Sequence, residues 1–102
     1  MKEPDIEAII KCERSTPFVN GYRPAHLIRE DYLTTGVHNY YDREFISFGE
    51  SALGTITFIS PEVYQNCLWE GEEISIQEGS RIVGHAVVVK IFNETLRSKE
   101  NL

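Results

Sequence analysis

A chain of 102 residues with 41% hydrophobic and 25% charged content suits one globular domain, long enough to bury a single core without disulfide staples. Its longest unbroken apolar run, Ala86 to Val89, is four residues, far short of the roughly 20 that a membrane-spanning helix needs. Ten Lys and Arg against sixteen Asp and Glu leave a formal charge of -6, a field that repels phosphate backbones and argues against nonspecific nucleic-acid binding.

The acidic stretch Met1 to Glu7 lacks the apolar segment of a secretory signal, so a cytoplasmic location is expected. From there the apolar pattern keeps a period near two, in residue types that fit a pleated surface. Ile6 to Cys12 reads as a strand with Ile6, Ala8 and Ile10 on one face. Ser15 to Pro24 carries two prolines and an Asn-Gly pair and reads as an ordered loop. Strand character resumes over Ala25 to Arg29 and falters at Glu30-Asp31, and Thr34-Thr35-Gly36 is expected to close the next extended piece with a turn. Glu44 to Phe48 alternates, Gly49 and Gly54 bracket a connection, and Gly54 to Ser60 is a β-branched and aromatic run that Pro61 ends.

Residues 62 to 70 fit a helical turn or a bulged strand equally well. Glu73 to Glu78 alternates, Gly79-Ser80 offers a tight turn, and Arg81 to Phe92 returns as a long strand, which makes a hairpin. Gly84 inside the return strand suggests a bulge or a close backbone approach. Residues 1 to 92 thus read as one domain, and residues 93 to 102 as a frayed tail or a short helix. Some six short strands point to an all-β sandwich or a small closed barrel.

Cys12 and Cys67 stand far apart with no C-x-x-C, which predicts two buried free thiols rather than a zinc ribbon or a disulfide framework. His26, His38 and His85 are scattered, and no metal or other cofactor is expected. Glu62, Glu70, Glu72, Glu73 and Glu78 follow one another with no Lys or Arg between them. That run is either a solvated face or a docking edge for a basic partner. No phosphate-binding glycine loop, nucleophile elbow or zinc-protease helix occurs, so the protein is not expected to be an enzyme.

The loop Thr16-Pro17-Phe18-Val19-Asn20-Gly21-Tyr22-Arg23-Pro24 resembles T-P-F-F-N-G-Y-R-P of the third domain of bacterial elongation factor Tu. The likeness continues through Thr35-Gly36 and Thr55 to Pro61, and is strong again over Ile76 to Lys90, similar to I-R-E-G-G-R-T-V-G-A-G-V-V-A-K. It spans Ile6 to Phe92 in the family's order. The resemblance implies a six-stranded antiparallel closed β-barrel, a platform that contacts a GTPase domain, the T-stem of aminoacyl-tRNA and an exchange factor. It does not imply GTP binding here, because the GTPase domain lies outside the likeness.

The family's tRNA-facing positions fall on Ala25, Thr35, Ser60 and Gly79. Thr35 and Gly79 are kept, whereas Ala25 replaces a glutamine, Ser60 a histidine or lysine, and Gln77 an arginine beside the same loop. Each change weakens anion binding. Arg23 and Arg81 lie in turns the family keeps, where a guanidinium binds either a phosphate or neighbouring carbonyls. The segment Pro61 to Gly71 is longer than the family's equivalent and brings Tyr64 and Trp69, candidate interface anchors beside Glu72, Glu73 and Glu78.

Three functions are compatible with these residues. The leading expectation is a non-catalytic binding module that docks on a protein of the translation machinery. Binding of tRNA or another structured RNA through Arg23, Thr35, Gly79 and Arg81 is the second. A decoy or immunity-type protein that mimics the elongation factor is the third.

Overall fold

Side-chain alternation sets the inward face of each strand. In the computed structural model, which describes residues 3–29 and 32–99, β1 (Ile6–Cys12) buries Ile6, Ala8, Ile10 and Cys12 and turns Glu7, Ile9 and Lys11 outward. Seven further strands follow: β2 (Phe18–Val19), β3 (Ala25–Arg29), β4 (Tyr32–Tyr40), β5 (Phe45–Ile46), β6 (Ser51–Phe58), β7 (Glu73–Glu78) and β8 (Arg81–Ile91). Six of them, in the order β1-β6-β4-β3-β7-β8, close into a barrel in which every neighbouring pair is antiparallel. β2 and β5 form a separate two-stranded ribbon. The fold is therefore the all-β, six-stranded, closed antiparallel barrel, and closure leaves none of the six with a free edge.

A barrel this narrow is filled by its own side chains. Ile6, Ile10, Ile56, Phe58, Ile74, Ile76, Val83 and Val88 pack the interior. Phe18 and Ile46, from the ribbon, are fully buried, as are Leu68 and Leu96 from the loops. The β7–β8 hairpin turns at Gly79, whose φ of +64° is the left-handed conformation that a glycine adopts without strain. A bulge breaks its ladder, since Ile76 faces Gly84 while Gln77 faces Ile82. Gly84 is the close approach expected of it: a Cβ there would lie 2.3 Å from the Lys11 carbonyl oxygen and 2.9 Å from the Phe18 ring.

One expected turn proves to be strand, since Gly36 lies inside β4, and the strand expected from Gly54 begins earlier, at Ser51; both glycines are buried. At Gly36 the reason is steric, because a Cβ would come within 2.6 Å of Ile56 and 3.0 Å of the His26 ring. The glycine makes room for an imidazole rather than bending the chain. The expected strand at Glu44 to Phe48 shrinks to Phe45–Ile46, and the expected break at Glu30-Asp31 lies outside the described residues.

The segment left open at 62 to 70 begins with a 3-10 turn at Pro61–Val63 and runs on as a loop. Of the two readings offered for the end of the chain, residues 93–99 take the short helix rather than the frayed tail. A second 3-10 turn, Glu94–Leu96, is capped by the Asn93 side chain, which accepts from the Thr95 N–H. Leu68 N–H donates to the Leu96 carbonyl at 2.8 Å and Ser98 N–H to the Leu68 carbonyl at 2.6 Å. Leu96 is thereby buried against the end of the barrel. Of the two thiols, both expected to be buried, Cys12 is buried and Cys67 only half-buried, its Sγ–H donating to the Tyr64 carbonyl at 2.8 Å.

Candidate functional site

Strand register brings Thr35, Ala25 and Gln77, three of the positions that the elongation-factor likeness marks, into one row. Thr35 of β4 lies opposite Ala25 of β3, Ala25 opposite Gln77 of β7, and Gln77 opposite Ile82 of β8. These four form a single rung in which Ile82 is exposed, Thr35 and Ala25 are half-buried and Gln77 is buried, while their strand neighbours Thr34, His26 and Ile76 are buried in the barrel. Ile59 extends the rung at one side, its N–H donating to the Thr35 carbonyl at 3.0 Å. Along the next rung Leu27 faces Leu33. Ile59, Ile82 and Leu33 are 61%, 53% and 43% exposed, so the face is largely apolar.

Arg23, in the loop before Ala25, and Arg81, beside Ile82, flank this rung and are exposed. Arg81 reaches Glu78 at 3.7 Å. Gly79 sits at the hairpin tip. The arginine that binds loop carbonyls is neither of these but Arg14, which the sequence reading passed over. Its guanidinium donates to the Thr16 carbonyl at 2.8 Å and the Pro17 carbonyl at 3.1 Å, stacks 4.4 Å from the Tyr22 ring centroid, and pairs with Glu78. The Tyr22 hydroxyl also donates to Glu78. Burial and the adjoining carboxylate push the Tyr22 hydroxyl pKa far above its ordinary value. This cluster ties the Thr16–Tyr22 loop to the β7–β8 hairpin. Glu78 is distant in sequence from both Arg14 and Tyr22, so the cluster left no periodic signal.

The 61–78 segment does not form one acidic docking edge. Tyr64, expected at the surface, is only 1% exposed: its ring packs edge-on against Phe58 and its hydroxyl bonds Thr34 Oγ1 at 2.7 Å. Filling the open end of the barrel buries more aromatic surface than a solvent-facing loop would. Trp69 remains 40% exposed. Glu78 is held by Arg14, and Glu70 pairs with Arg97 at 3.6 Å. Glu72 is half-buried, and its Oε1 has no hydrogen-bond partner. Burial raises its carboxyl pKa to about 7, against the opposing bond from the Trp69 backbone. Of the five carboxylates, Glu62 and Glu73 alone are both exposed and outside an ion pair among the described residues.

Inside the barrel a file of polar groups connects residues that sequence spacing treated as unrelated. His26 Nδ1 lies 3.3 Å from the Thr34 carbonyl, His26 Nε2 lies 2.8 Å from His38 Nε2, and His38 Nδ1 lies 2.9 Å from the Tyr40 hydroxyl. The carbonyl can only accept, which sets the direction of the whole file. Nδ1–H of His26 donates to it, Nε2–H of His38 donates to His26, and the Tyr40 O–H donates to His38. Both imidazoles are neutral in this pattern, and a further proton would put a charge in the apolar core and force the file to reverse its donors.

Burial lowers the His26 pKa to about 4, the Thr34 carbonyl partly opposing it, and holds His38 well below the ordinary value. Both histidines are fully buried and their ring nitrogens are satisfied within the core, so the file fits a structural role. Among the described residues no three His, Cys, Asp or Glu side chains come together as a metal site. Outside the barrel, Thr16, Pro17, Val19, Asn20, Glu44 and Phe45 line an open groove of about 570 Å³ beside the ribbon. No protein-family model matches the chain.

Proposed function

We propose that this protein is a non-catalytic docking barrel that presents the Thr35–Ala25–Gln77–Ile82 face to a protein component of the translation machinery. One observation carries the reading: the face where the elongation-factor likeness would put tRNA is apolar. Ile59, Ile82 and Leu33 are exposed there, Arg81 is engaged with Glu78, and the net charge is -6. Affinity for a nucleic-acid stem rests on several cations meeting phosphates. A protein partner is held instead by apolar anchors at the centre of a patch with polar groups at its rim. Arg23 and Arg81 then serve as that rim. The link to translation rests on the two glycine-bearing loops that resemble the elongation factor.

The protein immobilised in cell lysate is expected to retain a translation factor, a synthetase or a ribosomal protein. The double variant Ile59→Glu/Ile82→Glu, both positions being exposed, should melt like the parent and lose that partner. Recovery of no translation component, or recovery that the double variant leaves unchanged, overturns the proposal. Binding of tRNA at low salt that disappears in Arg23→Glu/Arg81→Glu, but persists in the double variant, assigns the face to RNA instead.

A further inference from the structure

We infer that the opposite side of the barrel, centred on β1, is a self-complementary surface on which a second copy of this chain docks. The inference rests on strand register and charge order alone and is independent of the partner proposed above. Ile9, 45% exposed, is the middle outward residue of β1. It lies opposite Leu53 of β6, itself 42% exposed, and opposite Val87 of β8. The three make an apolar stripe across adjacent strands, with Val89 exposed beyond it.

Charges stand on either side of this stripe in a fixed order. Along β1, Glu7 precedes Ile9 and Lys11 follows it, all on the outer face. Glu7 lies between Thr55 and Lys90, and Lys11 between Ser51 and His85. A half-turn about an axis that crosses β1 at Ile9, in the plane between two copies, lays Ile9, Leu53 and Val87 on their own counterparts. The same half-turn sets Glu7 over Lys11 of the second copy, and Lys11 over Glu7. Lys90 meets His85, whose Nδ1 is held by the Glu13 carboxylate at 2.5 Å. Stacking the strands parallel would oppose Glu7 to Glu7 and Lys11 to Lys11.

The charge order thus selects one two-fold arrangement and rejects the other, as isologous interfaces require. Nothing in a foreign partner calls for such symmetry, and this is why the occupant is a second copy. Closure of the barrel leaves β1 no free edge for strand addition, so a contact centred on it is face to face.

Sedimentation equilibrium at physiological salt tests the assignment. The parent chain is expected to associate toward twice its 11.7 kDa mass as concentration rises. Glu7→Lys and Lys11→Glu should each weaken self-association by roughly tenfold or more, since each opposes like charges twice across the two-fold. An equimolar mixture of these two variants restores opposite charges at both contacts and should associate like the parent. Ile9→Asp, a change at an exposed position, should remove association while leaving the melting temperature near the parent value. A parent chain that stays monomeric throughout overturns the inference. So do single reversals that associate unchanged, or a mixture that associates no better than its components.

Discussion

The wall built from β1 and the wall built from β3 and β4 stand across the barrel from each other and handle burial in opposite ways. β1 sends only apolar or thiol side chains inward, Ile6, Ala8, Ile10 and Cys12, and keeps its charges outside. β3 and β4 send His26, Thr34, Gly36, His38 and Tyr40 inward and show Leu27 and Leu33 toward solvent. The first wall is held by area buried, which is non-directional. The second depends on a hydrogen-bonded file in which each member needs its neighbour, and it is weakened if one donor is lost or a charge is added. Two walls of one barrel should therefore answer differently to pH and to substitution.

Acid gives the largest separation between them. Unfolded imidazoles take up a proton near pH 6.5, whereas folded His26 does so only at about 4, and burial holds His38 well below its ordinary value too. The stability these groups contribute is complete above pH 6.5 and is lost as pH falls from there toward 4. His26 alone accounts for a loss of about 3 kcal/mol by pH 4. Urea melts across this range should show the loss, and hydrogen exchange should show amides of β3 and β4 opening before those of β1. Equal protection at pH 7 and pH 4.5 would remove the distinction between the walls.

Substitution at glycine reverses the order. Gly84→Ala drives a methyl group toward the Lys11 carbonyl at the β1–β8 seam, and backbone cannot yield as a side chain does. A cost of about 3 kcal/mol is expected. Gly36→Ala meets side chains of Ile56 and His26 instead, and should cost roughly half as much, about 1 to 2 kcal/mol. Denaturant midpoints of the two variants compare them directly. A Gly36→Ala chain less stable than Gly84→Ala would show that the histidine file is the stiffer of the two contacts.

Tyr40→Phe gives the smallest effect and the most local one. It removes the hydroxyl that donates to His38 Nδ1 and leaves a buried acceptor unpaired, a loss of about 1 to 2 kcal/mol. In the variant His38 still donates its Nε2–H to His26, so it should keep that tautomer with its Nδ1 unpaired. Nitrogen-15 shifts of the imidazoles check this. An Nδ1-protonated His38 in the variant would mean that the Tyr40 hydroxyl, and not the Thr34 carbonyl, sets the direction of the file.

This contrast also explains which parts of the fold could be read without coordinates. β1 was legible because its inward residues are apolar and its outward residues polar, so period two survives in the letters. The β7–β8 hairpin was legible for the same reason, and Gly84 announced its close approach. β4 was not. Its inward histidines and threonine look like outward residues, and Gly36 between them looks like a turn. The tail was open between a frayed end and the short helix that is found, since Leu96 is the one buried apolar residue among its described residues and a single leucine makes no period. Among the candidate site residues, Thr35, Gly79, Arg23 and Arg81 were named from a likeness of loops. Their placement around one rung follows from register, which depends on every strand of the sheet at once.

The order of amino acids by itself determined that the chain pleats, where its clearest turns fall, and that its charge is negative, because each of these is set by neighbours in sequence. Only the tertiary structure decided that six strands close, that Tyr64 plugs an end, and that His26 finds His38. Pairing between distant strands depends on which burial leaves the fewest polar groups unpaired, and that sum is taken over the whole molecule.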